Sequence, residues 1–162
     1  MISGKITKAI NDQINKEIYS AYLYVGMAAY VDSMSLGGIA NWFRAQAKEE
    51  LGHAEKFMNY LSEQGGKLVL KAIAAPDQKF TSVAGLFDKT LDHEKEVTAS
   101  IHALVTLAKK EGDTATEIFL QWFVTEQIEE EASVADIIQK LAIGGKSGNS
   151  LLILDGILGQ RK

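Results

Sequence analysis

Apolar side chains recur along this chain at steps of three and four residues and do not alternate, which predicts amphipathic helices and no sheet. The first helix is expected from about Lys5 to Ser33, with Ile6, Ile10, Gln13, Glu17, Ala21, Tyr24, Ala28 and Val31 on one stripe. The second is expected from about Gly38 to Gln64, with Ile39, Phe43, Ala47, Glu50, His53, Phe57 and Leu61 on one face. Gly65-Gly66 is a natural stop. The third follows Thr81-Ser82, either of which can cap it. It carries Phe87, Leu91, Glu94, Val97, Ile101, Leu104 and Ala108, and Gly112 ends it. The fourth opens at Thr114-x-x-Glu117, a capping-box pattern, and aligns Phe119, Phe123, Gln127, Glu130, Val134, Ile137 and Leu141. Gly144-Gly145 terminates it, and a short fifth helix covers about Ser150 to Leu158.

Connection lengths turn these elements into a topology. About four residues join the first two helices and a tight turn joins the next two, so each pair is antiparallel. The second helix measures roughly 40 Å at about 1.5 Å per residue. The connection from about Gly65 to Ser82, extended, reaches roughly 60 Å. That is enough to travel back along the whole bundle. The expectation is an all-α fold: two helical hairpins in a four-helix bundle with one long crossover, plus a short fifth C-terminal helix. One domain is expected over 1–162, with the bundle at about 5–143 and the last helix at about 150–158.

Composition narrows the picture. A single proline, Pro76, agrees with a mostly helical chain. The absence of cysteine removes disulfides, thiolate metal sites and a cysteine nucleophile together. A net charge of −4 leaves no strongly basic face for nucleic acid. No apolar run approaches the roughly 20 residues that span a bilayer, so no membrane partner is expected. The opening Met1-Ile2-Ser3-Gly4-Lys5 carries no apolar signal core, which points to a cytoplasmic location. Gly145-Lys146-Ser147 resembles the end of a phosphate-binding loop, but Lys140 stands where that motif needs its first glycine.

All four long stripes share an anomaly. Each is mostly apolar and carries a carboxylate near its middle: Glu17, Glu50, Glu94 and Glu130. His53 follows Glu50 at i+3, on the same helix face. An unpaired buried charge costs on the order of several kcal/mol, and these stripes contain no Lys or Arg. Either some of the glutamates are protonated or cations belong among them. Two divalent ions balance four negative charges. Oxygen donors with one imidazole suit iron, manganese or zinc. Bundle cores hold such sites, and Glu50 is central enough to bridge two ions.

The stretches Glu17-Ile-Tyr-Ser-Ala-Tyr-Leu-Tyr24, Glu49-Glu50-Leu-Gly-His53-Ala, His93-Glu94 and Phe119-Leu-Gln-Trp-Phe-Val-Thr-Glu-Gln-Ile-Glu-Glu-Glu131 together resemble bacterial non-haem ferritins. So does Leu141-Ala-Ile-Gly-Gly-Lys-Ser-Gly-Asn-Ser-Leu before the last helix, and the resemblance spans nearly the whole chain. It implies a ferritin-like fold and a homo-oligomeric iron-storage cage of 24 subunits. It also implies a ferroxidase centre where Fe(II) and O₂ react to give ferric mineral. By position, one iron takes Glu17, Glu50 and His53. The second takes Glu50, Glu94 and Glu130, with Gln127 beside it. Tyr24 matches the family's tyrosine next to the centre; the plainer alternative is core filling. Glu49, Glu126 and Glu129, with Glu130 shared, match a third iron site, against the alternative of a solvated acidic patch. Trp122 resembles a tryptophan near the family's centre, with plain packing as the alternative.

Departures from related families narrow the subtype. The fourth helix reads Glu130-Glu-Ala-Ser133 and lacks a second Glu-x-x-His, which disfavours bacterioferritin. Leu51 stands where bacterioferritins carry their haem-ligating methionine, so no haem is expected. His93 and His102 are expected at the surface. Asp113 and Glu117 resemble acidic residues of threefold pores, although Glu117 has a competing capping role. Two other function classes stay open: a bundle whose centre holds structural zinc or nothing, and a di-iron oxygenase with an organic substrate.

Overall fold

The structure is a computed structural model and describes residues 2–162. Its elements are α1 (Gly4–Asp32), α2 (Gly37–Glu63), α3 (Val83–Glu111), α4 (Thr114–Gly144) and α5 (Gly148–Leu158). The helix starts follow local capping chemistry. Ser3, Ser82 and Ser147 each accept a backbone N–H from the first turn of α1, α3 and α5. The expected capping box of α4 is not what forms. Asp113 takes the cap one residue earlier, its carboxylate accepting the Thr116 N–H at 3.0 Å and the Thr116 hydroxyl at 2.8 Å. A carboxylate there also faces the positive end of the helix, so it outcompetes the threonine. Gly112 ends α3 in the left-handed conformation (φ 68°), which any side chain would strain.

α2 is capped from outside its own hairpin. Leu36 at its N-cap offers no side-chain acceptor. The carboxylate of Asp155, on α5, takes the Ile39 N–H at 2.8 Å. The short last helix is thereby tied to the start of α2, where the absence of a side chain on Gly38 admits the Asp155 backbone.

The crossover runs alongside α1, held by asparagines. Asn11 donates to the Lys67 carbonyl at 2.9 Å and accepts the Val69 N–H at 2.7 Å. Asn15 donates to the Ala72 carbonyl at 3.1 Å. Lys71 pairs with Asp12. An extended segment has no ladder of its own, so these side chains satisfy its backbone.

Nearly every residue of the four expected stripes is buried; Leu91, Phe119 and Leu141 are half-buried. The apolar interior divides into two clusters. One holds Tyr24, Met27, Ile39, Phe43, Phe87, Val134 and Ile137. The other holds Ile10, Ile14, Phe57, Leu61, Ile101, Leu120 and Phe123. On every long helix the two are separated by the same kind of gap. Glu17 interrupts α1, Glu50 and His53 interrupt α2, Glu94 interrupts α3, and Gln127 and Glu130 interrupt α4. The fold thus sets a polar layer across the bundle with an aromatic-rich plug on either side. No helix of the described residues is long and apolar enough to cross a membrane.

Candidate metal centre

The four carboxylates reach the layer because antiparallel helices of similar length align their midpoints. All are buried: Glu17 1%, Glu50 1%, Glu94 0% and Glu130 5% exposed. Among the described residues none of them has a Lys or Arg partner. One donor atom each from Glu17, Glu50 and His53 falls within 4.8 Å of the others, the spacing one cation needs to touch all three. His53 Nδ1 faces Glu50 Oε2 at 3.3 Å, and its Nε2 has no hydrogen-bond partner. Glu17 Oε2 also lacks one. A buried donor or acceptor without a partner is costly, so orphaned atoms of two neighbouring residues mark a place built for something else.

The second expected group, Glu50 with Glu94 and Glu130, does not gather in this way. Both Glu94 oxygens are held elsewhere: Tyr24 donates its hydroxyl to Oε1, and the Gln127 amide donates to Oε2 at 3.2 Å. Glu130 groups instead with His53 and Glu126, again within 4.8 Å. Its Oε2 accepts the Gln46 amide at 2.9 Å. Of the residues expected at a third site, Glu126 lies 3.7 Å from His53 Nε2. Glu49 pairs with Arg161, whose guanidinium lies 4.8 Å from the Trp42 ring. Glu129 is exposed.

Tyr24 is fully buried with its hydroxyl on Glu94, so it both fills the core and touches the layer. Trp122 lies edge-on to His53 at 5.5 Å, with the Lys56 ammonium 3.1 Å from its ring centroid. His102 is exposed as expected, and His93 is half-buried. Its Nε2 meets the Ser20 hydroxyl at 2.8 Å, and its ring packs against Tyr19 and Tyr24. These α1 side chains half-cover it, and burial lowers its pKa. Two buried glutamines also touch the layer without a role assigned from sequence: Gln13, whose amide donates to Glu17 Oε1 at 2.8 Å, and Gln46. Gln13 stands in the α1 stripe, and a polar residue one turn from a buried glutamate is the signal that finds it.

Electrostatics follow from this crowding. Loss of water raises the carboxyls of Glu17 and Glu50 well above the usual range. The neighbouring charge adds to it, from Glu50 on Glu17 and from Glu94 on Glu50. Burial raises Glu94 as well, partly offset by the Tyr24 and Gln127 hydrogen bonds. Glu130 is pushed up to about 7 by burial and then by Glu94. Burial, with the charge of Glu94, holds the Tyr24 phenol far above its ordinary range. Such a set keeps protons when it is alone and gives them up to cations.

Four helices around a polar layer of carboxylates and one imidazole define a helical bundle whose core could hold a hard cation. The sequence profile described as "Ferritin-like domain" matches residues 7–143. The chain is similar to a bacterial non-heme ferritin of Staphylococcus aureus, at 40% identity over 99% of this chain and 97% of that protein. A bacterial non-heme ferritin of Campylobacter jejuni is 40% identical over 96% of this chain and 93% of its own length. The fold is similar to that of an open pore ferritin from the hyperthermophilic archaeon Archaeoglobus fulgidus, with a TM-score of 0.98, 48% identity and 100% of both chains covered. The chain belongs to the ferritin family.

Proposed function

We propose that this chain stores iron, and that it oxidises Fe(II) with O₂ at the polar layer before the ferric product moves to a mineral held inside a multisubunit cage. The observation that carries the reading is the layer itself. Four buried glutamates and one histidine share a sealed slice of the bundle without a counter-charge from the protein. Iron is the substrate here. Glu17, Glu50 and His53 would receive one Fe(II), with Glu50, Glu94 and Glu130 around a second.

The chemistry follows from the donors. Hard carboxylate oxygens favour the higher charge, so they stabilise Fe(III) more than Fe(II). Two Fe(II) held side by side deliver two electrons to one O₂, which with two protons leaves as hydrogen peroxide; the two Fe(III) then hydrolyse with water to ferric oxyhydroxide, releasing protons and clearing the centre. Gln127 and Tyr24 each take one lone pair of Glu94, so the second ion would use a remaining lone pair or displace one of these donors. Glu126, close to both His53 and Glu130, would receive iron leaving the centre. Glu49 and Glu129 would complete a third site with it after Glu49 leaves Arg161.

Exposed apolar side chains support assembly. On α5, Leu152, Ile153 and Ile157 are 62%, 65% and 51% exposed. Tyr22 and Val25 on α1 lie open, as do Leu68, Val69 and Leu70 on the crossover. Patches of this kind mark surfaces that other chains cover. A shell of 24 subunits, as the family resemblance implies, accounts for both.

The test is aerobic Fe(II) addition to the wild-type protein and to the Glu50→Ala/His53→Ala variant, followed at the ferric absorbance. The variant should lose rapid oxidation while keeping its helical circular dichroism. An unchanged rate overturns the assignment.

A further inference from the structure

We propose that Gln13 is a positioning residue that fixes Glu17 as a one-oxygen ligand, and that its own orientation is locked from the protein surface by Ser100 and Lys16. The inference rests on the dinuclear reading above and adds a residue to it. Gln13 is 1% exposed and lies one helical turn before Glu17. Its amide nitrogen donates to Glu17 Oε1 at 2.8 Å, and its carbonyl oxygen accepts the Ser100 hydroxyl. Ser100 in turn accepts from the Lys16 ammonium at 2.7 Å.

The hydrogen bonds give the amide one sense. An ammonium can only donate, so Ser100 accepts from Lys16 and turns its hydrogen away from it. That hydrogen goes to the Gln13 carbonyl, and the Gln13 NH₂ faces Glu17, the sense that suits an ionised, metal-binding carboxylate. Three donors then run in one direction from solvent to the layer, each polarising the next. Glu17 Oε1 is occupied by an N–H, and Oε2, which has no partner, is the oxygen left to meet a cation.

Gln46 shows the contrast. It donates to Glu130 Oε2, but its carbonyl oxygen is buried without a partner, so its amide is held at one end only. Gln13 is pinned at both ends, across the α1–α3 seam. Partners one step behind a metal ligand commonly change metal affinity by about 10- to 100-fold when removed.

Anaerobic titration with Co(II), read by its visible absorption, separates the possibilities. Wild-type protein should take two Co(II) per chain at the layer. Gln13→Met keeps the side-chain volume and removes both hydrogen bonds. It should weaken one of the two sites by about tenfold or more. The absorption of that site should also fall, as Glu17 becomes free to bind through both oxygens and raise the coordination number. Ser100→Ala leaves the amide in place but unpinned and should give a smaller loss at the same site; it carries the test if Gln13→Met does not fold. Two sites of wild-type strength and spectrum in these variants, or equal weakening of both sites, overturn the role of Gln13 and leave the dinuclear reading intact. A wild-type chain that takes no Co(II) removes both.

Discussion

Loading the centre with a divalent cation should expel protons, in a number set by the carboxyls that burial keeps protonated. The perturbation is addition of two equivalents of Zn(II), a redox-inert stand-in for Fe(II), to metal-stripped protein. Glu130, at about 7, supplies the part that can be worked directly. It releases about 0.9 proton at pH 6, about half at pH 7 and about 0.1 at pH 8. Glu17 and Glu50 are raised well above the usual range, so they add to that release at neutral pH. The total at pH 6 should therefore exceed the Glu130 share and fall as pH rises past 7. Calorimetry in buffers of differing ionisation enthalpy reads the number, because the apparent heat shifts by one buffer enthalpy per proton. Glu130→Gln should remove the part that titrates near 7. A release close to zero at pH 6, or one that grows between pH 6 and 8, refutes the account of buried, mutually repelling carboxyls.

The same groups make a stability prediction. A carboxyl raised in the folded state binds its proton more tightly there, so its contribution is complete below about pH 4.5 and lost as pH rises through about 7. For Glu130 that loss is about 3 kcal/mol, read as a lower denaturant midpoint at pH 8 than at pH 5 in chelator. Asp12, lowered by Lys71 and Lys8, acts in the opposite sense in a window below about 4 that this comparison avoids, while His93, lowered by burial, opposes it below about 6.5 and trims the difference. Phe57→Ala should destabilise by about 3–5 kcal/mol, since the ring is fully buried and stacked on Phe123 at 4.0 Å; a loss under about 1 kcal/mol would deny that plug its role. Gly38→Ala should dislodge α5, because its Cβ would lie 1.8 Å from the Asp155 carbonyl oxygen. Sedimentation should then show smaller particles than wild type, and an unaltered profile would separate α5 docking from assembly.

The helices and their pairing were legible because periodicity and connection length are local quantities. Even the crossover needed only a count of residues against the length of α2. The expected stripes coincide with the buried faces for the same reason: one phase of the helix can face a bundle core. Details that depend on a second element were not legible. Asp155 as the cap of α2 joins residues far apart in sequence, and the sequence at Leu36 shows only that a cap is missing. Asp113 caps α4 through the Thr116 N–H, one residue before the Thr114 start whose box would have used the Glu117 N–H, and a carboxylate is the stronger acceptor at a helix N-terminus. The phase of α3 turns His93 away from the stripe, and only its contacts with Tyr19, Ser20 and Tyr24 of α1 bring it half inside.

For the centre, residue types were legible and their grouping was only partly so. The four mid-stripe glutamates converge as helix alignment requires. Their oxygens, however, are shared out by hydrogen bonds that sequence does not display. Tyr24 and Gln127 divide Glu94 between them, Gln13 takes one oxygen of Glu17, and Gln46 takes one of Glu130. Each donor offsets part of the cost of a buried carboxylate while leaving the layer short of positive charge. That balance has a functional sense. Full pairing with Arg or Lys would hold the glutamates against iron, and no donors at all would leave them fully protonated or the bundle unfolded. Neutral amide and phenol donors hold the oxygens in place yet can be displaced by a cation. On the proposed reading, a centre that loads Fe(II), discharges Fe(III) and loads again is served by ligands held by such replaceable partners.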